Sequence, residues 1–244
     1  MTKNIGRRAV IRASLGLIGA GMAGVLVGPG PAKAAVRDGN TPPHTPTALA
    51  ALTEQVPTSA NGWPIIRLED HAWAPYWRVG GSDIMVNLRL GEPATILLYV
   101  LGRFHYEIDE LKAAESQVIG YRPLGSISAS SPASNHASGT AVTIRPDWYP
   151  AGSRGNFFPH QAVVLRDVLL ECEGVVRWGG DDDRPDESRF TIDVPPGDKR
   201  LQRVAAKIRA WNGEPGQGAG AALNPFDAER RKAARKLQLQ QAQD

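Results

Sequence analysis

The sequence predicts an α+β fold, a compact single domain with a small, mainly antiparallel sheet flanked by helices. Three observations predict it. Short runs alternate apolar and polar residues, as at Ile84, Val86, Leu88 and Leu90. Longer stretches between such runs carry helical spacing, most clearly Leu201, Val204, Ala205 and Ile208 on one face. The 244 residues include one cysteine, Cys172, so no intramolecular disulfide can form and an ordinary apolar core must hold the domain.

In chain order, residues 36–47 are rich in Pro, Thr and Gly and read as a linker, and residues 48–56 as a short helix. Residues 63–77 hold Trp63, Trp73, Tyr76 and Trp77 among prolines. They read as loops packed by aromatics that cover the core, with a sugar-stacking platform as the alternative. Residues 83–90 read as a strand. A helix is expected over 93–114, with Pro93 in its first turn and Gly102 as a possible break. A short strand at 118–121, a Ser/Pro/Gly loop at 124–132 and a strand at 140–144 follow. The pattern Val163, Val164, Val168, Leu169, Cys172 marks a helix over 159–173 and makes Cys172 a buried thiol rather than a nucleophile. Strands at 175–178 and 190–194 precede the amphipathic helix at 198–211. Residues 213–223 are a glycine-rich linker. The polar, basic tail at 225–244 offers little apolar face beyond Leu237 and Leu239 and reads as disordered or frayed. Its cations offer a contact for a wall polymer. The expected divisions are thus 1–34, 35–79, 80–213 and 214–244.

The first 34 residues read as an export signal. The run from Gly6 through Arg7, Arg8, Ala9, Val10 and Ile11 to Arg12 is close to the twin-arginine consensus. A weakly apolar, glycine-rich stretch at 13–27 follows, shorter than a membrane span needs. Ala32, Lys33 and Ala34 then offer an A-x-A cleavage site. The expected partner in export is the twin-arginine translocase, and the expected location is the cell envelope or beyond. The alternative is an uncleaved N-terminal anchor; cleavage near Ala34 leaves no membrane span.

Cleavage also reverses the charge. The segment removes Lys3, Arg7, Arg8, Arg12 and Lys33 and no acid, leaving 23 basic against 25 acidic residues, a net of about −2. No general basic field remains to favour nucleic acid. The chain has no G-x-S-x-G elbow, phosphate loop or cysteine pair of a structural zinc site.

The chemistry-bearing motifs are SNHASGTAVTI at 134–144 and WGGDDDRPDESRFTI at 178–192. The first matches Ser-x-His-x-x-Gly-x-Ala at Ser134, His136, Gly139 and Ala141. With Gly120-Tyr121-Arg122-Pro123 upstream and Val175-Val176-Arg177-Trp178-Gly179-Gly180-Asp181 downstream, the chain from about residue 80 to 198 resembles the zinc-dependent D-alanyl-D-alanine carboxypeptidases and related peptidoglycan endopeptidases of the VanY type. The resemblance implies a zinc DD-peptidase-like fold and a peptidoglycan stem peptide, or another cell-wall polymer, as partner. That family holds zinc with His, Asp and His and leaves a fourth position for water. An acid three residues before the second His serves as general base, and an upstream Arg stabilises an oxyanion or holds a carboxylate.

Carried over position by position, His136 matches the first ligand, Asp186 the general base and Arg122 the upstream arginine. Thr143 stands at the aspartate ligand, Arg189 at the second histidine, and Thr191 at the glutamate just beyond it. A hydroxyl is a poor substitute for a carboxylate, and a guanidinium has no lone pair to give and repels a dication. The expectation is a degenerate site without a resident cofactor, in which Ser134, His136, Arg189 and Arg122 contact a peptide. An active carboxypeptidase or endopeptidase that still uses zinc is the alternative. Arg189 has two readings: a carboxylate ligand together with Arg122, or a structural ion pair with Asp186, Asp181, Asp182, Asp183 or Glu187. The remaining histidines, His44, His71, His105 and His160, have no ligand spacing to His136.

Overall fold

A computed structural model describes residues 56–221 and 223–243. The export signal, the 36–47 linker and nearly all of the helix expected at 48–56 lie outside the described residues. A two-stranded hairpin comes first, β1 (Tyr76–Arg78) against β2 (Met85–Asn87). The main sheet follows, with β3 (Val118–Ile119), β4 (Ala141–Ile144), β5 (Val176–Trp178) and β6 (Arg189–Ile192) in the order β3-β4-β6-β5, every neighbour antiparallel. With the helices α1 (Glu92–Glu107), α2 (Pro159–Glu171), α3 (Lys199–Asn212) and α4 (Ala228–Gln241), the domain is α+β, as the alternation of short strands and helices required.

Strand alternation sorts the sheet into two faces. Val142, Ile144, Val176, Trp178, Phe190 and Ile192 are buried in the core. Thr143, Arg177, Arg189 and Thr191 point the other way; Thr143 stands opposite Arg189 and Arg177 opposite Thr191. The core face is covered by α1, which also packs against α2 and α3. Leu97, Leu101 and Phe104 of α1 are fully buried, as are Leu165 of α2 and Val204 and Ile208 of α3. Cys172 is buried among them and burial pushes its thiol up to about 12, so the inert reading holds.

One charged group sits inside this apolar layer. Arg103 of α1 has no exposed surface and donates to Tyr99 Oη at 2.7 Å, to Glu107 Oε2 at 2.7 Å and to Asp167 Oδ2 of α2 at 3.0 Å. Burial works against its charge, but these partners together raise the guanidinium above its ordinary value.

Four expectations need correction. The helix expected over 93–114 stops at Glu107, where Ile108 caps it and His105 Nδ1 accepts the N–H of Leu111. Gly102 does not break it; a methyl there would meet the Ala219 side chain at 3.0 Å, so the glycine lets the later segment lie against the helix. Packing does not begin at residue 80. Trp63 is in the core with its indole N–H on Val194 O at 2.7 Å, and the Asn61 amide donates to Ile192 O at 2.8 Å. An indole N–H and a short side-chain amide make these ties, and neither leaves a periodic signal. Cover is supplied by Trp63 and partly by Trp77, whereas Trp73 and Tyr76 are 57% and 69% exposed.

The tail is the fourth. Residues 228–241 form α4, capped by Asp227, whose side chain accepts from the N–H groups of Glu229 and Arg230. It docks on α2 through polar contacts. Arg230 reaches Asp167 and Glu171, both at 2.6 Å, and the Gln241 amide donates to Val176 O at 3.0 Å on the edge strand β5. An apolar-face criterion cannot detect such a helix. Among the described residues no helix is long and apolar enough to cross a membrane.

Candidate functional site

The first motif folds as a 3-10 turn, Pro132–His136, that leads into β4. Gly139 lies between them with φ +67°, and a Cβ there would come within 2.8 Å of the Arg89 backbone nitrogen. The position needs glycine on both counts, and it lets Arg89 N–H donate to Gly139 O at 2.9 Å. Ser134 is fully buried, donates to Ala129 O at 2.7 Å and accepts from Ala60 N–H at 2.9 Å. It braces the loop and has no surface for a peptide, which removes it from the expected ligand contacts.

His136 is also buried. Its Nδ1 lies 2.7 Å from Gly120 O and its Nε2 lies 3.0 Å from Thr143 Oγ1. A carbonyl only accepts, so Nδ1 carries the proton and Nε2 accepts from the threonine hydroxyl. The lone pair that a metal would need is therefore engaged by Thr143. Burial drives His136 from 6.5 down to about 4; Arg189 and Arg122 push the same way, while the Gly120 carbonyl and Asp186 oppose them. Gly120 is itself pressed against Asn87 O, with no room for a side chain.

This depression sets a pH dependence. Neutral His136 is favoured by the fold, so its stabilisation is fully present above about 6.5 and is lost as pH falls towards 4. The loss amounts to roughly 3 kcal/mol. Urea titrations between pH 7 and pH 4 will show the wild type losing that much more stability than His136→Gln; parallel pH profiles for the two proteins would contradict the assignment.

Arg189 opens β6 directly opposite Thr143. Its Nη2 donates to Asp182 Oδ2 at 2.6 Å, and its Nη1 lies 3.4 Å from Asp186 Oδ2. The other oxygen of Asp186 accepts from Ser188 Oγ at 2.6 Å. The structural ion pair is thus present. His136, Thr143, Arg189 and Asp186 form one contiguous chain of contacts, although they come from separate elements. Arg122 is exposed; its backbone N–H donates to His136 O at 3.2 Å and its charge is felt at the His136 ring.

The open face of the sheet forms the floor of a cleft of about 710 Å³. Arg177, Arg189, Thr191 and Asp193 line the floor. Asn61, Asn135, Asp182, Asp183, Arg184 and Asp186 line the cleft as well. Of the expected contact residues only Arg189 and Asp186 line this cleft; Ser134, His136 and Arg122 do not. Sequence reasoning missed Arg177, Thr191, Asp193 and Asn61 as lining. The alternation in β5 and β6 held the signal for the first two, since Trp178 and Phe190 must point inward. Nothing local marks Asn61.

The donor set does not fit zinc. One histidine with its Nε2 engaged, a hydroxyl and a guanidinium provide a single metal ligand, and a cation occupies the remaining corner. Among the described residues no three His, Cys, Asp or Glu side chains are grouped to hold a metal ion. The other described histidines lie elsewhere in local contacts: His71 against Leu68 O, His105 against Leu111 N–H, and His160 stacked on Phe158.

Comparison with family models, with curated proteins and with solved structures yields no match for this chain.

Proposed function

We propose that this chain is an exported, DD-carboxypeptidase-like protein of the cell envelope that binds a peptidoglycan stem peptide without cleaving it. The observation that carries this reading is Arg189. By the resemblance it takes the place of the second zinc-ligating histidine, and it is held by Asp182 and Asp186 on the floor of an open cleft. A guanidinium in that place preserves positive charge where a dication would sit and presents a fork suited to a carboxylate. Water without a metal keeps a pKa near 15.7, and Asp186, tied to Arg189 and Ser188, has no means of making up the difference. The cleft carries both signs of charge, with Arg177 and Arg189 beside Asp183 and Asp193. That suits a peptide with a free carboxylate and a free amine. The spaced matches from Gly120 to Asp186 support descent from the zinc peptidases, and the twin-arginine pattern supports export.

Titration calorimetry with purified muropeptides is the test. Saturable binding is expected, at least tenfold weaker for Arg189→Gln, with no D-alanine released in the presence or absence of zinc. Release of D-alanine or cleavage of cross-links on adding zinc would replace this reading with an active carboxypeptidase or endopeptidase. No binding and no turnover would remove both.

A further inference from the structure

Where α4 crosses α2 it closes a small pocket of about 190 Å³. Ala162 and Ala234, one from each helix, supply an apolar floor, and four arginines surround it: Arg166 from α2 and Arg230, Arg231 and Arg235 from α4. Two of these are neutralised. Arg166 forks onto Asp181, with Nη2 2.6 Å from Oδ1, and Arg230 is held by carboxylates of α2. The other two are not. Among the described residues neither Arg231 nor Arg235 forms an ion pair, and Arg235 donates to a neutral partner, Gln238 Oε1, at 2.7 Å. Four residues apart on one helix, they present like charges from the same face.

We infer that this pocket binds a small organic oxyanion. Its carboxylate or phosphate head is held by Arg231 and Arg235, and an apolar group of a few carbons rests on Ala162 and Ala234. Guanidinium forks match both head groups bidentately. Asp167 also lines the pocket, but Arg103 and Arg230 already take its two oxygens, so an anion meets the two guanidiniums that have no ion pair. The volume lies below the usual range for drug-sized ligands, about 300–1,000 Å³, so it selects a compact molecule. Because the walls come from two helices, an occupant bridges them and strengthens the hold of α4 on the domain.

The test is calorimetry and thermal melting of the full chain at fixed ionic strength with phenyl phosphate, benzoate, inorganic phosphate and benzyl alcohol. Phenyl phosphate or benzoate is expected to bind at one site per chain and raise the melting midpoint; the tighter of the two identifies the head group. Inorganic phosphate is expected to bind at least tenfold more weakly, and benzyl alcohol not at all. Arg231→Gln with Arg235→Gln changes two exposed side chains and should reduce affinity at least tenfold. Ala162→Leu keeps every charge but fills the floor, and should abolish the preference over inorganic phosphate. Absence of saturable binding by both aryl anions, or equal binding by the double variant, would overturn the assignment.

Discussion

Thr143→Asp combined with Arg189→His will turn this chain into a zinc protein, with one metal bound per chain at sub-micromolar affinity. The resemblance to the zinc peptidases puts residues 143 and 189 at two ligand positions, and in the structure residue 143 adjoins both His136 and residue 189. His136 Nε2 and Thr143 Oγ1 are 3.0 Å apart, and two ligand atoms on a tetrahedral zinc with bonds of about 2.0–2.1 Å are roughly 3.3 Å apart. Residue 189 faces residue 143 across the β4–β6 ladder, so an imidazole there enters from the third direction. The exchange adds a carboxylate, adds an imidazole and removes the cation that excludes the metal. A micromolar dissociation constant corresponds to about −8 kcal/mol, so the expected change is large. Neither single variant should suffice. Thr143→Asp alone gives Arg189 another carboxylate, and Arg189→His alone leaves a hydroxyl in the ligand position. Metal analysis after dialysis decides the matter. A double variant that stays folded and zinc-free would show that Thr143 and Arg189 do not stand at ligand positions.

Arg103→Met will cost about 3–5 kcal/mol of stability, the range for removing one partner of a buried ion pair. Arg103 has no exposed surface and Asp167 only 2%. Without the guanidinium, Tyr99 loses its hydrogen-bond donor and Asp167 retains only Arg230, which approaches from α4. The damage should therefore reach the C-terminal helix, as faster proteolysis near residue 228. Urea unfolding is the measurement, and a cost under about 1 kcal/mol for Arg103→Met would mean that the pair is not buried in solution.

Local patterns located the strands of the main sheet and two of its four helices to within a few residues, and the start but not the end of α1, because alternation and amphipathic spacing report which side of an element is buried. The tail failed under the same rule. Its docked side is Arg230, Ala234, Gln238 and Gln241, and polar docking looks like solvent exposure in a sequence. The segment before residue 80 failed for a related reason. Ser59 and Asn61 are tied to Ser138, Thr140 and Ile192, partners far along the chain that no window of residues contains. In the site, Thr143 and Arg189 were picked out by the resemblance, and their pairing across the β4–β6 ladder is what the fold adds. The burial of Ser134 and His136, which takes both away from any ligand, was not legible.

The sequence by itself determined the α+β class and the order of the main-sheet strands and of the helices as far as α3. These depend on side-chain type and on local periodicity, which the chain carries at every position. Tertiary structure alone decided what the site residues do. It closed the His136 lone pair on Thr143, clamped Arg189 between two carboxylates and left the polar face of β5 and β6 open as a cleft. It also set α4 against α2 with two arginines unmatched. Each of these depends on groups brought together from distant parts of the chain, and on burial that changes their charge and their reach.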